Sequence, residues 1–151
     1  MKIESSAFAD QQPIPAKYTG DGQNVSPPLS WEDVPQGAKS LALIVDDPDA
    51  PGGVFTHWLV YNIPPDKIGL PEGVDTVSQL EDGSRQGSTS YGQTGYRGPH
   101  PPPGRPHRYY FSLCALDKMP SLKAGASKQQ LEEAIQGQII AATQLLGIYK
   151  R

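Results

Sequence analysis

Apolar residues fall in short runs separated by turn-forming clusters, and that spacing predicts a domain built mainly of strands. Leu41-Ala42-Leu43-Ile44-Val45 is unbroken, with Gly37 before it and Pro48 after it. A run this short and this apolar suits a central strand buried on both faces. Asp46-Asp47-Pro48-Asp49-Ala50-Pro51-Gly52-Gly53 reads as a tight polar turn, and Phe55–Ile63, rich in aromatic and β-branched residues, as a second strand. If the two pair as a hairpin, Asp47 leaves one strand at the end of the sheet where His57 enters the other.

His107–Leu116 predicts a third strand. Its period of two places His107, Tyr109, Phe111, Leu113 and Ala115 on one face. Near the C-terminus, Ser127 and Gln130 have capping-box spacing. Leu131, Ile135, Ile139, Ala142 and Leu146 then follow at helical spacing, with Gly147 as a stop. This pattern predicts one helix packed over the sheet. Residues 12–30 are dense in Pro, Gly, Asp and Asn and read as an ordered surface loop, ending at a Trp31 that plugs an edge of the core. Residues 64–104 show little regularity, and a loop so long inside one domain points to function. Its proline-rich end, from Gly98 to Gly104, would form a stiff wall.

Composition supports this reading. The 16 glycines and 16 prolines among 151 residues have no collagen-like period, so they mark turns within a single domain spanning residues 1–151. A net charge of -3 without runs of like charge argues against a nucleic-acid partner. No apolar stretch approaches the roughly 18 residues of a membrane helix. The first six residues turn polar too soon for a signal peptide, so the cytoplasm is the expected compartment. The lone Cys114 sits in a strand-like run and reads as a buried structural thiol.

The candidate chemistry lies at strand ends. His57 begins one predicted strand, His107 begins another, Asp47 ends a third, and Tyr109 shares a face with His107. Imidazoles and a phenol supply donors for an anion, and a carboxylate bonded to one imidazole favours its cationic form. Backbone N–H groups in the Gly98–His100 turn could add donors. A carboxylate repels phosphate unless it pairs with a histidine or accepts a proton from the phosphate, and either route ties binding to pH. A transition-metal site is the weaker reading of two histidines and a carboxylate, because the ligands lack a compact spacing. Hydrolysis is weaker still: Ser88, Thr89 and Ser90 lie in a glycine-rich loop, but there is no Gly-x-Ser-x-Gly elbow. Asp46, Asp47 and Asp49 also suit plain turn capping, Asp46 most of all. No metal, cofactor or catalytic residue is expected.

The sequence resembles the phosphatidylethanolamine-binding protein family, which includes the Raf kinase inhibitor proteins, and within it the short bacterial and archaeal branch. The resemblance rests on Pro15–Gly22, Ser26–Trp31, Asp47–Pro51, His57-Trp58, Tyr96–Pro99, Pro101-Pro102, His107–Tyr109 and the tail from Gly137 to Arg151. It implies a mostly β fold: a large central antiparallel sheet, a smaller flanking sheet and a C-terminal helix. It also implies a pocket for phosphate or a phospholipid headgroup, formed by Asp47, His57, Pro102, His107 and Tyr109. The Gly98–Pro101 segment would be its wall, and Asp49 and Pro51 would shape its first loop. Gly20 and His100 stand where this branch often has cysteine, which argues against redox chemistry and puts a third imidazole at the rim.

A regulatory anion-binding protein that modulates a partner, in the manner of a kinase inhibitor, is the function expected. A serine protease inhibitor acting through a surface loop, and a metal-dependent or hydrolytic enzyme, are the alternatives. The resemblance is compatible with a homodimer.

Overall fold

The computed structural model describes all 151 residues. Nine strands and one α-helix run in the order β1 (Lys2–Glu4), β2 (Gln12–Pro13), β3 (Leu29–Glu32), β4 (Ser40–Asp47), β5 (Phe55–Ile63), β6 (Gly69–Leu70), β7 (Arg85–Gln86), β8 (His107–Leu116), α1 (Lys128–Ile135) and β9 (Ile139–Tyr149). Six strands form a large sheet in the order β2-β9-β8-β4-β5-β7, and three form a small one, β1-β3-β6. The large sheet is antiparallel except where β2 meets β9. The fold is therefore mostly β, with a large sheet, a smaller one and a single helix towards the C-terminus. No helix is long and apolar enough to cross a membrane.

The unbroken apolar runs are explained by cover on both faces of the large sheet. Leu41, Leu43 and Val45 of β4 join Trp58 and Val60 of β5 and Phe111 and Leu113 of β8 against the small sheet, with Ile3, Leu29 and Trp31 opposite. The intervening Ala42, Leu59, Tyr61 and Leu116 pack beneath Leu131 and Ile135 of α1. Trp31 does more than plug an edge. It lies in the central strand of the small sheet, buried, with its indole N–H donating to the Lys67 carbonyl at 2.6 Å. Cys114 is partly buried on the helix side, and burial pushes its thiol pKa up.

The predicted helix is corrected in length. Its start holds, because Ser127 Oγ accepts from Gln130 N–H while the Gln130 side chain accepts from Ser127 N–H. It ends after Ile135. Gly137, at φ +79°, turns the chain out of the helix, and Ile139–Tyr149 becomes β9, paired along β8. Ile139, Ala142 and Leu146 are strand residues, and Gly147 lies inside the strand. The helical spacing was fortuitous. Gly137 and the β-branched Ile139, Ile140 and Thr143 favour a stop and then a strand.

Candidate functional site

The β4–β5 hairpin brings Asp47 opposite Phe55, and β8 runs along the other side of β4. Asp47, His107 and Tyr109 continue the alternation that points Val45 and Phe111 into the space between the sheets. His57 reaches that side by a different device. Val45 pairs with Trp58 but Asp46 with Thr56, so His57 is the extra residue of a β-bulge. A bulge shifts the alternation by one and turns His57 towards the same side as Trp58.

Together these residues form a cavity of about 230 Å³ lined by Asp47, Ala50, Pro51, Phe55, His57, Tyr91, His100, Pro101, Pro102, His107 and Tyr109. Asp47, His57, His107 and Tyr109 are each no more than 5% exposed. His107 Nδ1 donates to Asp47 Oδ2 at 2.6 Å, and Asp47 Oδ1 accepts from Asp49 N–H at 2.8 Å. The carboxylate thus orients an imidazole and caps its turn at once. His57 Nδ1 donates to the Arg97 carbonyl at 2.7 Å, while Arg97 N–H donates to the His57 carbonyl at 3.2 Å. In both rings Nε2 is left as the nitrogen available to the cavity. An edge-to-face contact of 5.3 Å between the His57 and Tyr109 rings, and stacking of His107 on Tyr109 at 6.5 Å, hold the three rings together.

This geometry revises the chemistry expected of the rings. With Nδ1–H directed away, each neutral imidazole offers the cavity an acceptor, and it becomes a donor only when Nε2 is protonated. Burial lowers the His57 pKa below its ordinary value, against the pull of the Arg97 carbonyl and the Asp47 carboxylate. Burial, reinforced by Asp47, pushes the Tyr109 pKa far up, so the phenol keeps its proton. Tyr109 keeps its proton beside Asp47, and the imidazoles are conditional donors. As for metal ligands, the Asp47 oxygens are committed to His107 and Asp49 N–H, and no group of three or more His, Cys, Asp or Glu side chains stands in a metal-holding arrangement.

Of the residues expected at the site, Asp47, Pro51, His57, Pro101, Pro102, His107 and Tyr109 line the cavity, with His100 at its rim. Gly98 and Asp49 do not. Gly98 N–H is taken by Asn24 Oδ1 at 2.7 Å, and a Cβ at this position would lie 2.0 Å from the Tyr18 carbonyl oxygen. Its role is close backbone approach, and its N–H is no anion donor. Asp49 turns to Arg108, accepting from its N–H, Nε and Nη2, each at 2.9 Å, which lowers the Asp49 pKa to about 2. That pair clamps the β4–β5 turn to the start of β8. Ser88 Oγ donates to the Gly125 carbonyl before α1, Thr89 Oγ1 accepts from Tyr91 N–H within the loop, and Ser90 Oγ accepts from Thr56 N–H of β5. Tyr91 and Phe55 were missed. Tyr91 lies in the irregular segment with no periodicity to flag it, yet its ring packs 4.7 Å from Phe55 and 5.7 Å from His57.

A larger cavity of about 440 Å³, beside Lys2–Ser5, Phe8–Asp10 and Gln144-Leu145, contains no histidine or tyrosine. The buried Asp47, His57 and His107 all line the smaller one.

Fold and site define a class: a two-sheet β protein with an Asp–His–His–Tyr pocket at one end of its large sheet. The chain belongs to the phosphatidylethanolamine-binding protein family, whose model matches residues 4–150. A UPF0098 protein of Methanothermobacter thermautotrophicus is 53% identical to it, over 100% of this chain and 99% of that one. The solved structure of a phosphatidylethanolamine-binding protein homolog from Chlamydia trachomatis is 44% identical, with a TM-score of 0.91 over 99% of this chain and 97% of that one. Escherichia coli YbcL, described as a new member of the mammalian family, is 31% identical, with a TM-score of 0.92 over 99% and 98% of the two chains.

Proposed function

We propose that the cavity binds the phosphate group of a small phosphorylated molecule or lipid headgroup, and that the protein is a cytoplasmic, non-catalytic regulator of a partner protein such as a kinase. The observation that carries the reading is that Tyr109 and two imidazoles, each with Nδ1 already bonded and Nε2 left free, line one cavity of about 230 Å³. That volume suits a phosphate and its first few attached atoms, and falls below the roughly 300–1,000 Å³ of drug-sized sites. Phosphate bound there shares protons with the imidazoles: either Nε2–H donates to a phosphate oxygen, or a phosphate hydroxyl donates to Nε2. The Asp47 charge, which favours a protonated His57, supports the first arrangement, and the burial that lowers the His57 pKa supports the second.

The test is calorimetric titration with glycerol 3-phosphate. Saturable 1:1 binding is expected, weakened in Tyr109→Phe by about 1.5–3 kcal/mol, the worth of a hydrogen bond to a charged group. Absence of binding at millimolar ligand, or equal affinity in the variant, would contradict the proposal. Capture of the same partner by wild type and Tyr109→Phe alike would contradict the regulatory part.

A further inference from the structure

A second hollow, about 160 Å³, adjoins the cavity and shares Tyr91 and His100 with it; Gly20, Asn24, Arg97 and Gly98 complete its lining. The Tyr91 ring is a partition. On one side it packs against Phe55 and His57, and it also carries the Arg97 guanidinium 5.1 Å from its centroid. The Arg97 backbone is anchored here, bonded to His57 through both N–H and C=O. Its side chain is exposed, donates one hydrogen bond to Gln93 Oε1 at 2.7 Å, and has no carboxylate partner. His100 rests against Gly20, where an added Cβ would fall 2.6 Å from its Nδ1. The nearest acid, Asp21, lies 3.8 Å from that nitrogen, but it is already held by Arg151 Nε at 3.2 Å and Tyr149 O–H at 2.5 Å.

We infer that this hollow is a second anion subsite, with Arg97 as its main donor and His100 on the boundary. The ligand class it selects is a phosphate bearing a second negative group, a carboxylate or another phosphate, a few bonds away. The inference rests on the reading of the first cavity as a phosphate site, and it makes that reading more specific. An unpaired guanidinium offers several further N–H donors in a planar fork suited to carboxylate or phosphate. The same charge disfavours a headgroup that ends in an ammonium.

The experiment is calorimetry at fixed ionic strength with glycerol 3-phosphate, 3-phosphoglycerate and phosphoethanolamine, on wild type and Arg97→Gln. The first two ligands differ only in a hydroxymethyl group replaced by a carboxylate. The variant keeps the backbone bonds to His57. Wild type is expected to bind 3-phosphoglycerate about fivefold more tightly than glycerol 3-phosphate, the scale of a partly exposed ion pair. Phosphoethanolamine should be the weakest of the three. In Arg97→Gln the preference should vanish, with affinity for glycerol 3-phosphate unchanged. Equal binding of the first two ligands by wild type, or a preference that survives in the variant, overturns the subsite while glycerol 3-phosphate binding still supports the first cavity. No binding of any of the three overturns both.

Discussion

His57 is held at its backbone and its ring by one residue, Arg97, and burial keeps its pKa below the ordinary value near 6.5. That has a consequence for stability. Just below pH 6.5 an unfolded chain protonates this histidine while the folded ligand-free protein resists, so the unfolded state binds more protons there. Stability then rises with pH through the window. The contribution is complete above about pH 6.5 and is lost as pH falls through the folded value. Urea unfolding at pH 5 and pH 7.5 should show wild type losing more stability on acidification than His57→Gln. Equal losses would mean that the ring is not held neutral. Glycerol 3-phosphate should reduce the difference, because an anion in the cavity favours the protonated ring.

At the level of elements, β9 carries the largest correction. Gly147 lies opposite Tyr109, and Ile14 and Phe8 pack onto its bare backbone: a Cβ there would meet Ile14 Cγ1 at 2.5 Å. Gly147→Ala is expected to cost about 1–3 kcal/mol by overpacking. Ile14→Ala, which by itself costs about 2–5 kcal/mol, removes the atoms that meet the new Cβ and should recover part of that loss in the double variant. Simple additivity by urea denaturation would contradict the contact. The proline wall is the other element with a distinct test. Pro101 and Pro102 line the cavity, and the Pro101 carbonyl accepts from Arg151 Nη1 at 3.4 Å. Changing both to alanine should weaken ligand binding several-fold while costing only about 0.4–1 kcal/mol of stability per site through the unfolded chain. Unchanged affinity would remove the wall from the site.

β4, β5 and β8 were legible because their apolar runs and β-branched residues leave no competing assignment, and the turn after Asp47 dictates a hairpin. β9 was not, because Leu131, Ile135, Ile139, Ala142 and Leu146 satisfy a helical spacing that only the chain reversal at Gly137 interrupts. His57 was legible as a strand-end histidine, but its orientation was not. Strict alternation places it opposite Trp58, and only the bulge brings the two to one side. Tyr91 and Arg97 sit in a segment whose shape is fixed by long-range bonds, such as Gly98 N–H to Asn24, that leave no periodic trace in the sequence.

Across the whole molecule, the sheets meet over one core, and the end of that core is left polar by four strand-borne side chains. The neighbouring strands β4, β5 and β8 of one sheet place Asp47, His57, His107 and Tyr109 around a cavity of about 230 Å³. The central claim is that an anion there is bound together with protons. A phosphate monoester loses its second proton near pH 6, about where an ordinary histidine also loses its own. Above that range both potential proton carriers are empty, so the complex must take up a proton from solution and affinity falls with pH. Linkage limits the slope to about tenfold per pH unit for each proton taken up. Asp47→Asn removes a carboxylate whose charge favours a protonated His57, so its profile should be flatter. The most direct measurement is therefore the calorimetric affinity for glycerol 3-phosphate between pH 5.5 and 8.5, in wild type and Asp47→Asn. The account predicts tightest binding by wild type at mildly acidic pH, weakening steadily towards pH 8.5, with a shallower slope in the variant. Wild-type affinity that rises with pH would contradict it.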